Sequence, residues 1–402
     1  MVERLKKNCF FILVFLFFYP SLTKAGVSSI SSSLTRWINQ GGVYAESGEG
    51  KPLVDYQGKT SFVPASTLKL TTALAALEIL GKDYHFKTEF YVDKNNVLYV
   101  KGYGDPYLVS EELDEISGIL KNRGIKQVKG IILDESYFEE IKVPGVSASL
   151  NPYDALNSAL SANFNTVFIL KTKSGKIESA EAQTPLTELT QKLAKKAPLG
   201  KSRINLAAHP AESLLYVGYL LRAFLEIQGV DVSGFIRKGQ VSEDAKLVYR
   251  HSSSKNLEQV VQAMLKYSTN FIANQLFLIL GAEKYGAPAN LSKGKKVVTD
   301  FLKTRLDLEG FNIEEGSGIS RQNKMTPFQL VKVLRAFEKY KGLLPEKLNG
   351  ILAKTGTLNG VSCLAGYFNS PKYHEVRFVI LLNQEGAYRE KIAKFLYENL
   401  QE

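Results

Sequence analysis

The chain has 402 residues, a net charge of +11, two cysteines and four histidines. His85, His209, His251 and His374 show no metal-ligand spacing, and no Gly-x-Ser-x-Gly accompanies them, so zinc-peptidase and histidine-triad chemistries lack support and no cofactor is expected. The basic excess suits anionic polymers or weak association with membrane headgroups, or simply serves solubility.

At the amino terminus, Arg4, Lys6 and Lys7 precede the apolar run from Phe10 to Tyr19, which is too short to span a bilayer comfortably. Leu22-Thr23-Lys24-Ala25 follows, with Ala25 placed for cleavage, so residues 1–25 read as a secretory signal, with an uncleaved anchor as the alternative. Cleavage there would remove a net +3 (Arg4, Lys6, Lys7 and Lys24 against Glu3) and leave +8. It would also leave Cys363 as the only cysteine, so no intramolecular disulfide is available, and Cys363 in an apolar strand reads as a buried small hydrophobe. Export places the protein on the periplasmic or cell-wall side of the cytoplasmic membrane and argues against a nucleic-acid partner.

From Pro64 to Gly81 the pattern predicts a helix opened by Pro64 or Ser66 and closed by Gly81, apolar on nearly every face. Ser66 and Lys69 fall in its first turn, at the edge of a buried core. Residues i and i+3 share a helix face, so the Lys69 amine can reach the Ser66 hydroxyl. A serine hydroxyl needs a base, and an ammonium becomes one only after losing its proton. Desolvation, a second cation such as Lys354 and the positive helix end would all lower the lysine pKa. Ser-x-x-Lys also occurs at Ser21, Ser252 and Ser292, but these lie in the targeting segment, a Ser-rich connector (251–255) and a basic loop (292–296).

Positions 70 to 267 put 198 residues between Lys69 and Ser268, room for an additional domain. The expected division is 26–83 with 247–402 as one discontinuous domain and 84–246 as an insertion. Within it, Phe86 to Phe90 and Val97 to Val100 read as a hairpin, Glu111 to Lys121 as a helix ended near Gly124, Val128 to Leu133 as a strand, and Ala211 to Ile227 as a helix closed by Gly229. These predict an α+β module.

Ser268 lies between two helical patterns, 257–267 and 271–281. There a hydroxyl can relay a proton between Lys69 and a leaving amine, and the Asn270 amide can donate to a substrate carbonyl and accept from the lysine. Lys354-Thr355-Gly356-Thr357 lies among antiparallel strands. On an edge strand it offers a cation and a hydroxyl to a carboxylate, while the glycine leaves room for a backbone to approach.

Ser-x-x-Lys, Ser-x-Asn and Lys-Thr-Gly in this order form the three-part signature of serine enzymes acting on D-Ala-D-Ala peptides or β-lactams. With Gly104-Asp105-Pro106, Asn163-Phe164-Asn165 and Gly316-Ser317-Gly318 added, the chain from about Thr35 onward resembles the D-alanyl-D-alanine carboxypeptidase and endopeptidase family of penicillin-binding proteins that carry a large insertion. The resemblance implies an α/β (α+β) fold: a β-lactamase/transpeptidase-like domain with an antiparallel sheet flanked by helices, plus the inserted α+β domain. It implies Ser66 as acylated nucleophile, Lys69 as general base and Ser268 as proton relay. Asn270, Lys354, Thr355 and Thr357 would bind substrate, with the Ser66 and Thr357 N–H groups as oxyanion hole, and Arg321 could hold a stem carboxylate. Thr269 and Glu315 stand where the family often has Asp. The expected partners are peptidoglycan stem peptides, with β-lactams as acylating inhibitors. A β-lactamase and a non-catalytic cell-wall protein are the competing readings. No Glu-x-x-x-Asn lies between Lys69 and Ser268, which counts against one β-lactamase class, and the intact Ser66, Lys69, Ser268 and Lys354 count against the scaffold.

Overall fold

The computed structural model describes residues 30–147, 149–206, 210–348 and 350–401. The expected signal, 1–25, lies outside the described residues. The strands, in chain order, are β1 (Gly41–Ser47), β2 (Pro52–Tyr56), β3 (His85–Val92), β4 (Val97–Gly102), β5 (Gln127–Asp134), β6 (Thr166–Lys171), β7 (Ile177–Ser179), β8 (Gly200–Asn205), β9 (Asp231–Lys238), β10 (Lys246–Asn256), β11 (Glu346–Leu348), β12 (Ile351–Leu358), β13 (Val361–Ser370) and β14 (His374–Leu382).

One sheet of six strands runs β11-β12-β13-β14-β1-β2 with every neighbour antiparallel. Alternation of side chains sends the residues of each strand to two different cores. Val379 and Leu381 of β14 face the helical core around helix Lys69–Leu80. Phe378 and Ile380 face a second core closed by helix Arg389–Asn399 and by Ile30 and Leu34. Helix Lys69–Leu80 is buried from Lys69 through Leu77, as an all-round apolar sequence requires, and Gly81 ends it at a φ of +85° that favours glycine.

A second sheet runs β10-β3-β4-β5-β9. The expected hairpin is β3 and β4. Helix Ser110–Asn122 crosses from β4 to β5, which pair in parallel, and helix Pro210–Ile227 precedes β9, also parallel to β5. A small antiparallel sheet, β7-β6-β8, lies alongside. Strand β10 pairs with β3 through Asn256 and leads directly into helix Leu257–Tyr267. The Ser-rich stretch 251–255 is therefore strand, because the backbone of the return segment finds its partners along β3. Ser292 likewise lies in helix Leu291–Leu306, whose first turn the Asn290 side chain caps, and not in a loop.

The stretch between β4 and β6 is stitched to the helical core. Phe138, Ile141, Val143 and Ala159 pack within that core. Gln275, fully buried on helix Asn270–Tyr285, donates to the Gly104 and Ser158 carbonyls at 3.0 and 2.9 Å and accepts from Asn157 Nδ2 at 2.9 Å. Asn163, Phe164 and Asn165 all have φ between +50° and +60°, a turn that lets Phe164 meet Phe271 edge-on at 6.2 Å. Among the described residues no helix is long and apolar enough to cross a membrane.

Candidate active site

Ala65, with φ of +47°, turns the chain into a 3-10 turn, Ala65–Leu68, before the α-helix begins at Lys69. In a 3-10 turn residues i and i+3 eclipse, more directly than in the α-helix the sequence predicted. Ser66 and Lys69 stack accordingly, with Lys69 Nζ 2.8 Å from Ser66 Oγ. The amine is sealed from solvent while the serine is partly exposed. Lys69 Nζ also donates to Asn270 Oδ1 at 2.7 Å and to the Ser317 carbonyl at 2.8 Å. A neutral amine that gives its two protons to these acceptors turns its lone pair toward the Ser66 hydroxyl, which is the arrangement a base needs.

Burial pushes the Lys69 amine down to about 7, while the Glu315 carboxylate opposes the shift. Glu315 is itself fully buried. Its carboxylate accepts from the Ser317 amide and hydroxyl, the Gly318 amide and Asn323 Nδ2 at 2.6–2.7 Å. This fixes the turn that aims the Ser317 carbonyl at Lys69. In sequence Glu315 was only a departure from an expected Asp, and its structural task was not visible there.

Ser268 caps helix Leu257–Tyr267 in the left-handed region, φ +58°. Its hydroxyl lies 2.7 Å from Lys354 Nζ, so Lys354, not Lys69, is the amine within its reach. Burial is the main force pushing Lys354 down to about 6, and the positive charges of Lys69, Lys347 and Arg389 add to it. The two buried amines discourage each other's charge. Asn270 opens the next helix, with Oδ1 on Lys69 and Nδ2 on the Tyr153 carbonyl at 3.3 Å. Tyr153 lies between β5 and β6, so that segment reaches the site, a contact no motif announced.

Strand β12 carries Lys354 through Thr357, and β11 pairs only with Ile351 and Leu352. The Lys354–Thr357 stretch is thus an edge, open to an added strand. Gly356 does leave room for a backbone, but the backbone is the chain's own: a Cβ there would come within 2.8 Å of the Pro64 carbonyl and 3.1 Å of the Ser66 nitrogen. This approach sets the Ser66 N–H beside the strand that carries Thr357. The Thr357 hydroxyl accepts from Arg389 Nη1 at 2.6 Å, and the Gly356 carbonyl from the same nitrogen at 3.0 Å. Arg389, at the start of the last helix, was not anticipated. Arg321 is exposed and donates to the Asn359 carbonyl in the β12–β13 turn, outside the amine network.

Ser66, Lys69, Ser268, Asn270 and Lys354 therefore converge on one cleft from three distant stretches of chain, with the Thr355–Thr357 edge as its wall. Comparison with known proteins gives this arrangement a context. The model of the D-Ala-D-Ala carboxypeptidase 3 (S13) family matches residues 35–346 and 343–398. D-alanyl-D-alanine carboxypeptidase DacB of Haemophilus influenzae is 25% identical over 438 residues, covering 93% of this chain and 91% of that protein. The D-alanyl-D-alanine carboxypeptidase of Actinomadura sp. (strain R39) is 28% identical, covering 85% of this chain and 77% of its own length. The crystal structure of penicillin binding protein 4 from Haemophilus influenzae superposes with a TM-score of 0.78 at 22% identity, over 92% of this chain and 99% of that one, a likeness of fold.

Proposed function

Because the chain belongs to the D-Ala-D-Ala carboxypeptidase 3 (S13) family, we propose that it is a serine D,D-peptidase that cleaves D-Ala-D-Ala termini, and D-amino-acid cross-links, of peptidoglycan stem peptides through an acyl-Ser66 intermediate. The observation that carries this reading is the Ser66 hydroxyl 2.8 Å from a buried amine whose other two partners are acceptors.

Lys69, when neutral, takes the Ser66 proton as Oγ attacks the penultimate D-Ala carbonyl. The Ser66 and Thr357 N–H groups hold the oxyanion. Its collapse breaks the C–N bond, and the leaving amine receives a proton through the Ser268 hydroxyl, which Lys354 resupplies. Lys69 then passes the proton it took to Lys354, which restores both amines, and water attacks the ester with Lys69 again as base; the proton returns to Oγ as the ester bond breaks, freeing Ser66 and the shortened peptide. Asn270 and the β12 edge align the peptide, Thr355 and Thr357 take its carboxylate, and Arg321 has donors left for a carboxylate of the stem. β-Lactams acylate Ser66 by the same route, and the excess positive charge suits weak association with anionic surfaces outside the cytoplasm.

A fluorescent penicillin tests the reading. Stable labelling of the protein that disappears in Ser66→Ala is expected, and fast drug turnover or no labelling would overturn it. A digest of purified muropeptides, read by mass, then reports terminal D-Ala release and cross-link cleavage.

A further inference from the structure

Resting on the D,D-peptidase reading above, we infer that Arg389 is a positioning and specificity residue: it forces the Thr357 hydroxyl to donate toward the terminal carboxylate of the peptide and supplies the positive charge behind it. A guanidinium only donates, so the Thr357 hydroxyl, 2.6 Å from Arg389 Nη1, must accept there. A hydroxyl has one proton. With its oxygen engaged by Arg389, that proton is directed to another acceptor, and the neighbouring open ground is the uncovered edge of β12. The strand carrying Thr357 is thereby poised as a donor surface selective for an anion.

Two further observations set Arg389 apart from an ordinary surface arginine. It occupies the first position of helix Arg389–Asn399, where the helix dipole disfavours a cation, so helix stability does not explain it. Its guanidinium is also nearly without a counter-ion: among the described residues its carboxylate neighbour is Glu390 at 3.9 Å, whose side chain is 64% exposed while that of Arg389 is 19% exposed. The charge is permanent, mostly shielded from water and uncompensated. It borders a surface cavity of about 340 Å³ that Thr357, Leu358 and Glu385 also line, so a ligand anion can approach it. The same charge helps to depress the Lys354 amine.

The test compares full-length wild type, Arg389→Ala, Arg389→Gln and Arg389→Lys on a stem-like peptide ending in D-Ala-D-Ala and on the same peptide with a terminal carboxamide. Arg389→Ala and Arg389→Gln should lower kcat/KM on the free acid at least tenfold, chiefly through KM, and change the slow carboxamide reaction less than twofold. Arg389→Lys should recover part of the loss, and the alkaline limb of the free-acid profile should move to higher pH in Arg389→Ala, because the charge that depresses the proton donor Lys354 is gone. Equal losses on both peptides, or an unchanged preference for the free acid, would overturn the inference. Should Arg389→Ala fail to fold, Arg389→Gln, which keeps the bulk and one N–H donor of the side chain, carries the same expectation. A wild type inactive on both peptides would instead strike at the D,D-peptidase reading.

Discussion

Lys354 reaches across 86 positions of sequence to hold the Ser268 hydroxyl at 2.7 Å, while Lys69 holds Ser66 at 2.8 Å. The cleft therefore contains two separate hydroxyl–amine pairs, and burial weakens the charge of both amines. In the proposed reaction the Lys69–Ser66 pair removes a proton and the Lys354–Ser268 pair returns it.

The acylation rate constant for a β-lactam should rise with pH through about 7 and level off above it, because Lys69 acts as a base only when neutral. Stopped-flow labelling between pH 5 and 9 measures this. A flat profile would mean that Lys69 is not the group that takes the proton.

Glu315 should control where that rise falls. Its negative charge favours protonated Lys69, so Glu315→Gln should move the midpoint to lower pH. The same change sets an amide NH2 against either the Ser317 or the Gly318 amide and should cost about 2–4 kcal/mol of stability, read by chemical denaturation. A midpoint moving upward would contradict the electrostatic account.

Gly318 cannot carry a side chain without displacing the nucleophile's turn. Its φ is +85°, and a Cβ would lie 1.9 Å from the Ala65 carbonyl, one residue before Ser66. Gly318→Ala should lose about 2 kcal/mol or more and slow acylation at least tenfold. Penicillin acylation at the wild-type rate in a folded variant would show that the turn has slack.

Asp105 predicts a pH dependence of stability. Burial raises its carboxyl to about 6, above the roughly 3.9 of an unfolded chain, close to the buried Glu112–His251 contact of 2.6 Å. The folded state binds more protons between those values, so this term favours folding below pH 4 and is lost as pH rises to about 6. Asp105→Asn keeps an acceptor for the Tyr107 amide, now 2.8 Å from Oδ1, and should gain up to about 3 kcal/mol at pH 7 relative to pH 4. Parallel melting curves for the two proteins across pH 4–7 would refute it.

Local signals carried well from sequence to structure. The apolar run from Leu70 to Leu77 is a buried helix, β3 and β4 form the hairpin, and the stretch from Leu257 to Tyr267 is a helix. What sequence could not show was pairing between distant segments. The parallel partnership of β4 with β5, the return strand β10 and the contact of Tyr153 with Asn270 depend on sheet assembly and leave no periodic trace. Arg389 was invisible for the same reason: it lies 32 positions beyond Thr357, and nothing around it forms a pattern.

The brevity of β11 has a last consequence. Its pairing with β12 reaches only Leu352 and leaves a notch four residues long, from Lys354 to Thr357, about 13 Å at roughly 3.3 Å per residue. A groove so short seats only a couple of ligand residues in extended form. Grip along the main chain is correspondingly modest, and discrimination falls to the groups at its two ends, an economy that rewards compact, rigid, end-bearing molecules over long flexible ones.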